Sequence, residues 1–205
     1  MTPLMCAKAA AAAYDRVTIT AHDVEVYVQT TGGAIIVAFR GTEANGWGLL
    51  WDGSRDARAA PWWDRHLGVC HAGFRWGVHF IWPKLEPILQ DAKRDYLRIY
   101  FAGHSLGGAL AIGAAVYCWA LVKPPAGLVT LGAPALGGRR VGRALRAFPV
   151  RRFVSGADVV PVVPPWFPHH VPAIRLGERV GWFKDHRVAL YLERIAGWPG
   201  ATEPF

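Results

Sequence analysis

The hexapeptide Gly103-His104-Ser105-Leu106-Gly107-Gly108 lies where a strand pattern gives way to a helix pattern, and no other stretch constrains the fold as much. Upstream, Leu97 to Ala102 is a short β-branched and aromatic run; downstream, Ala109 to Val122 is small, apolar and compatible with a helix. A sharp strand-to-helix turn needs near-absent side chains on both sides of its apex, so that the backbone can crowd its neighbours while the apical hydroxyl projects outward. Gly103 and Gly107 supply that room and make Ser105 a candidate nucleophile. With 23 Gly and three Ser in 205 residues, composition alone yields about 0.04 copies of G-x-S-x-G, so the remaining weight falls on context.

The pattern around the turn alternates between strand and helix. Met1 to Asp15 reads as a helix. Val24 to Thr30 and Ala34 to Arg40 read as strands joined at Gly32-Gly33, a hairpin signal. Gly41 to Val69 has no sustained periodicity and is expected to be a long binding loop or lid. Phe74 to Ala92 follows as a helix interrupted or started near Pro83. Gly127 to Gly132, Arg151 to Ser155 and Ala173 to Leu176 read as further strands, with helices over Gly138 to Ala147 and about Arg187 to Ala196. The proline-rich run Pro161 to Pro172 is expected to pack as a loop, because a linker there would strand some thirty residues, too few to fold alone. This order implies an α/β fold with a mostly parallel central sheet covered by helices on both faces. At 52% hydrophobic and 19% charged, 205 residues suit one domain with a sizeable core.

Cys6, Cys70 and Cys118 are scattered and odd in number, so they indicate buried thiols and neither a disulfide framework nor a metal site. The net charge of +8 favours anionic partners. Arg139, Arg140, Arg143, Arg146, Arg151 and Arg152 lack the aromatic interleaving of a nucleic-acid platform, and a solvated helix face is expected instead. The longest uncharged run, Ser105 to Val122, is diluted by Gly107, Gly108 and Gly113 and reads as a buried helix, not a transmembrane segment. No export signal is recognisable near Met1, so a cytoplasmic or non-classically exported protein is expected.

A serine hydroxyl needs an imidazole to take its proton, and the imidazole needs a carboxylate to fix its tautomer. Where a nucleophile sits on such a turn, the acid and then the histidine follow on loops after later strands. Asp158 comes just after the strand Arg151 to Ser155 and fits the acid. His186 directly precedes the last helix and fits the base. His169 and His170, among the prolines, are alternative bases, and Asp185 is a weaker acid because adjacent side chains do not readily face each other. The oxyanion of a tetrahedral intermediate needs donors. Leu106 offers a backbone N–H at a helix start, and Thr42, in the loop after an earlier strand, offers a second.

Val37-Ala38-Phe39-Arg40-Gly41-Thr42-Glu43, His71-Ala72-Gly73-Phe74, the serine hexapeptide with Ala109-Leu110, Gly132-Ala133-Pro134, and Asp185-His186 with Tyr191 together resemble the class 3, fungal-lipase-like lipases. The resemblance runs from about Ala34 to Tyr191. It implies an α/β-hydrolase fold, Ser105, Asp158 and His186 as the triad, Thr42 and Leu106 as the oxyanion hole, ester bonds of acylglycerols and related lipids as substrate, and no organic cofactor. The chain is shorter than usual secreted members and lacks a serine-studded lid sequence after Thr42. Trp47, Leu49, Leu50, Trp51, Trp62 and Trp63 instead suit an apolar mouth or transient seating on a lipid surface, with Trp166 and Phe167 as the opposite wall. Phospholipase A1, polymer esterase and a non-catalytic lipid-binding protein on the same fold are the rival readings.

Overall fold

The computed structural model describes residues 1–41 and 60–205. Thr42, Trp47, Leu49, Leu50 and Trp51 lie outside the described residues. The main sheet comprises β1 (Ile19–Ala21), β2 (Val24–Thr31), β3 (Ala34–Phe39), β6 (Arg98–His104), β7 (Gly127–Leu131), β8 (Val150–Ser155) and β9 (Ala173–Leu176), side by side in that order. β1, β2 and β3 form an antiparallel meander; from β3 onward every pairing is parallel. The hairpin expected at Gly32-Gly33 is present, with both glycines at positive φ.

Five helices accompany the described strands: α1 (Pro3–Ala12), α2 (Ala72–Arg94), α3 (Leu106–Leu121), α4 (Arg139–Leu145) and α5 (Val188–Ala196). α1 starts where Pro3 follows Thr2, whose side chain accepts a hydrogen bond from the Met5 N–H. The sheet divides the core as a period of two demands. Ile35, Val37, Phe39, Ile99 and Phe101 pack with α2 and α3 on one face. Ala34, Ile36, Ala38, Tyr100 and Ala102 pack with α1 and α5 on the other. Strands buried on both faces read as continuous apolar runs, which is why β3 shows no polar alternation. α3 is buried from Gly107 to Cys118, as its uncharged sequence requires. No helix among the described residues is long and apolar enough to cross a membrane.

Two expectations need correction. The stretch from Gly41 to Val69 is not structureless throughout: β4 (Pro61–Asp64) and β5 (Gly68–His71) form a separate antiparallel hairpin. Its turn is held by the buried Asp64, which accepts from the N–H groups of His66 and Leu67, from Tyr117 at 2.8 Å and from Arg75. Four-residue strands pinned by a distant tyrosine leave no periodic signature. Nor does Pro83 interrupt or start α2, which runs unbroken with Pro83 and Pro87 inside it. Both prolines, and the residue His79 whose carbonyl Pro83 cannot serve, are on the exposed side of the helix, where an orphaned carbonyl is open to solvent and costs little.

Cys6, Cys70 and Cys118 are free and buried, and burial pushes each thiol up to about 12. Arg139, Arg140, Arg143 and Arg146 are exposed along and just beyond α4, as a solvated face requires, whereas Arg151 and Arg152 are half-buried on β8.

Candidate active site

Ser105 sits at the joint between β6 and α3 with φ 57° and ψ −131°, a conformation that costs a non-glycine residue roughly 1–3 kcal/mol. Close backbone packing holds it there. A Cβ on Gly103 would strike the backbone of Gly107, and one on Gly107 would strike the backbone of Phe39 and Arg40 at the end of β3. The Ser105 N–H donates to the Leu131 carbonyl at 2.9 Å, tying the turn to β7. Leu106 opens α3, so its N–H has no intrahelical acceptor and stands at the positive end of the helix.

The candidate acid and base come from later loops at the same carboxyl edge. His186 Nδ1 lies 2.7 Å from Asp158 Oδ2, and both residues are buried. An ionised carboxylate only accepts, so Nδ1 carries the proton and Nε2 presents a lone pair. Tyr191 Oη donates to the same Asp158 Oδ2 at 2.7 Å while accepting from the Ser155 N–H, and the Val160 N–H donates to Oδ1. Burial, together with the neighbouring carboxylate, pushes the Tyr191 phenol well above its ordinary value, so it remains a donor.

His104, beside the serine in sequence, links this pair to the start of the chain. Its ring centroid is 4.6 Å from that of His186. Its Nε2 lies 2.7 Å from the His186 carbonyl, which only accepts, so Nε2 carries the proton and Nδ1 accepts from Tyr14 Oη at 2.7 Å. Burial first, and the neighbouring His186 second, push the His104 imidazole down to about 3, which keeps it neutral. Tyr14 lies just beyond α1, under Gly41, and the Arg40 guanidinium rests 5.8 Å from its ring centroid. Sequence reasoning missed Tyr14: ninety residues separate it from its partner and nothing local marks it.

The other candidates fall away from the pair. His169 Nε2 donates to the Pro161 carbonyl and His170 Nε2 to the Gly137 carbonyl at 2.9 Å, so both fasten the proline-rich run to the body of the protein. Asp185 is turned from His186 and held by backbone N–H groups. Trp166 is exposed and Phe167 half-buried on the segment after β8; Trp62 and Trp63 are exposed on β4. No group of three or more potential metal ligands clusters among the described residues.

Residues 36–167 match the family described as Lipase (class 3). The chain belongs to that family. Among solved structures, the Rhizomucor miehei lipase in its propeptide complex superposes with a TM-score of 0.68 at 20% identity, covering 85% of this chain and 66% of that one. The lipase of Rhizopus microsporus var. chinensis superposes with a TM-score of 0.64 at 22% identity, covering 79% and 68%. Lipase II of Rhizopus niveus gives 0.59 at 24% identity, covering 73% and 59%. This class 3 lipase chain therefore has the α/β-hydrolase fold of these fungal structures while spanning about two thirds of the length of the Rhizomucor chain, 66%. No curated protein matches it in sequence.

Proposed function

We propose that the chain acts as one α/β-hydrolase unit that cleaves carboxylic esters of lipid-like substrates through an acyl-serine intermediate. The observation that carries this reading is the 2.7 Å contact of His186 Nδ1 with the buried Asp158 carboxylate, on the same edge of the sheet as the strained Ser105 turn. His186 Nε2 takes the Ser105 proton as Oγ attacks the ester carbonyl. The oxyanion is met by the N–H of Leu106, aided by the helix dipole, and by that of Thr42. As the intermediate collapses, the alcohol leaves with the proton from His186. Water then attacks the acyl-serine with His186 again as base, releasing the acid and restoring Ser105.

A lipid-like substrate is supported by apolar side chains left in water near this edge. Val162 and Trp166 on the loop after β8, and Val180, Trp182 and Phe183 on the loop after β9, are all exposed. Trp62 and Trp63 add to them from β4; Trp166 and Phe167, together with Trp47 and Trp51, are the candidate contacts for the acyl chain. The charge of +8 favours phospholipids with anionic head groups as a second substrate class, separable by comparing rates on anionic phospholipid and neutral acylglycerol. The reading is tested with a fluorophosphonate ester. Covalent labelling of Ser105, lost in Ser105→Ala, is expected; an unlabelled, folded protein supports a non-catalytic lipid binder instead.

A further inference from the structure

Asp185 precedes the proposed base and Ala157 precedes the proposed acid, and these two upstream residues are themselves bonded. The Ala157 N–H donates to Asp185 Oδ2 at 3.0 Å. The same oxygen accepts from the Val180 and Gly181 N–H groups, both at 3.0 Å, so the loop after β9 closes around it. Oδ1 accepts from Arg194 Nη1 of α5 at 2.9 Å. That nitrogen also donates to Ser155 Oγ at 2.6 Å and to the Leu176 carbonyl at 3.2 Å, and Nη2 donates to the Glu178 carbonyl at 2.7 Å. One carboxylate and one guanidinium thus join the end of β8, the end of β9, the loop carrying His186 and the following helix. Gly156, at φ +43°, has no room for a side chain: a Cβ there would meet the Asp185 carboxylate.

The Asp185 side chain is fully buried and its partners are all donors. Burial alone would raise its carboxyl, yet the backbone N–H groups of Ala157, Gly181 and Val180 and the Arg194 guanidinium bring it down to about 2. An ionised carboxylate bonded through both oxygens resists displacement, because any shift breaks charge-assisted hydrogen bonds.

We propose that Asp185 and Arg194 are positioning residues for the acyl-transfer reaction, clamping the acid-bearing and base-bearing loops one residue upstream of Asp158 and His186. The proposal rests on the ester-hydrolase reading. The clamp touches neither substrate nor the reacting atoms; it fixes the separation and angle at which the imidazole meets the carboxylate. A small misplacement of a catalytic group slows turnover far more than it weakens binding.

The test uses the full chain and a water-soluble short-chain p-nitrophenyl ester, with folding checked by circular dichroism at the assay temperature. Asp185→Asn keeps an acceptor for the backbone N–H groups but loses the ion pair. It is expected to lower kcat roughly 30- to 300-fold while KM stays within about threefold. Arg194→Met is expected to behave alike, Arg194→Lys to recover most of the loss, and Asp185→Asn with Arg194→Met to be no slower than Asp185→Asn alone. If Asp185→Asn does not fold, the pair Arg194→Met and Arg194→Lys decides. Wild-type kcat in a folded Arg194→Met or Asp185→Asn protein, or a rise in KM with kcat unchanged, overturns the clamp while leaving the hydrolase reading intact. A wild-type protein inert toward both the ester and a fluorophosphonate overturns that reading, and the clamp with it.

Discussion

The Ser105 turn and the paired loops that carry Asp158 and His186 are held by different kinds of force. At residues 103–108 the constraint is steric: glycines let β6 and α3 approach β3 until no side chain fits, and Ser105 is left in a strained conformation. At residues 155–158 and 176–186 the constraint is polar: buried carboxylates gather N–H and O–H donors from segments far apart in the chain. Steric constraint is written into consecutive residues. Polar constraint is written into partners that meet only after folding.

The largest expected loss is at the apex of the turn. Ser105→Ala should lower kcat on a soluble ester by about 10⁵- to 10⁶-fold with little change in melting temperature, and His186→Ala should match it within about tenfold in steady-state assays. Equal activity in either variant removes that residue from the mechanism. Gly107→Ala tests the steric side: driving a Cβ into the Phe39 and Arg40 backbone should cost about 3 kcal/mol of stability in urea unfolding, or prevent folding outright. A tolerated alanine there would show that the turn is looser than its packing suggests.

Tyr191→Phe tests the polar side. Removing a donor to the Asp158 carboxylate should lower kcat about 10- to 100-fold, since hydrogen bonds to charged groups are worth about 1.5–3 kcal/mol. The acid limb of stability supplies a further check. His104 is held neutral well below its unfolded value of 6.5, so its contribution is complete above about pH 6.5 and drains away as pH falls toward about 3. By about pH 5 the loss should approach 2 kcal/mol, and melting curves of His104→Gln should be correspondingly flatter over that window. The smallest expected effects are at His169→Gln and His170→Gln, which should leave kcat within about threefold.

What the sequence made legible follows the same division. That Ser105 stands on a strand-to-helix turn, and that Asp158 and His186 belong together, was legible because Ser105 and Asp158 follow recognisable strands and His186 directly precedes the last helix. Tyr14, Arg194 and the hydroxyl of Ser155 could not be placed, because an isolated polar residue carries no sign of which distant partner it will meet. The β4–β5 hairpin was missed for a related reason: its strands are short and its turn is fastened by Tyr117 from α3. Pro83 misled because its local penalty depends on which side of the helix faces water, and that is settled by packing alone.

The three cysteines bear on how the protein can be studied. Cys6 and Cys118 lie on helices facing the sheet and Cys70 on β5, all without exposed sulfur and all protonated at ordinary pH. A thiol without thiolate character reacts slowly with maleimides and iodoacetamide. The native protein therefore offers a quiet background for site-specific dyes. A single cysteine introduced in place of Trp166 or Trp182 would carry a fluorophore on the loop after β8 or β9 without first rebuilding the core.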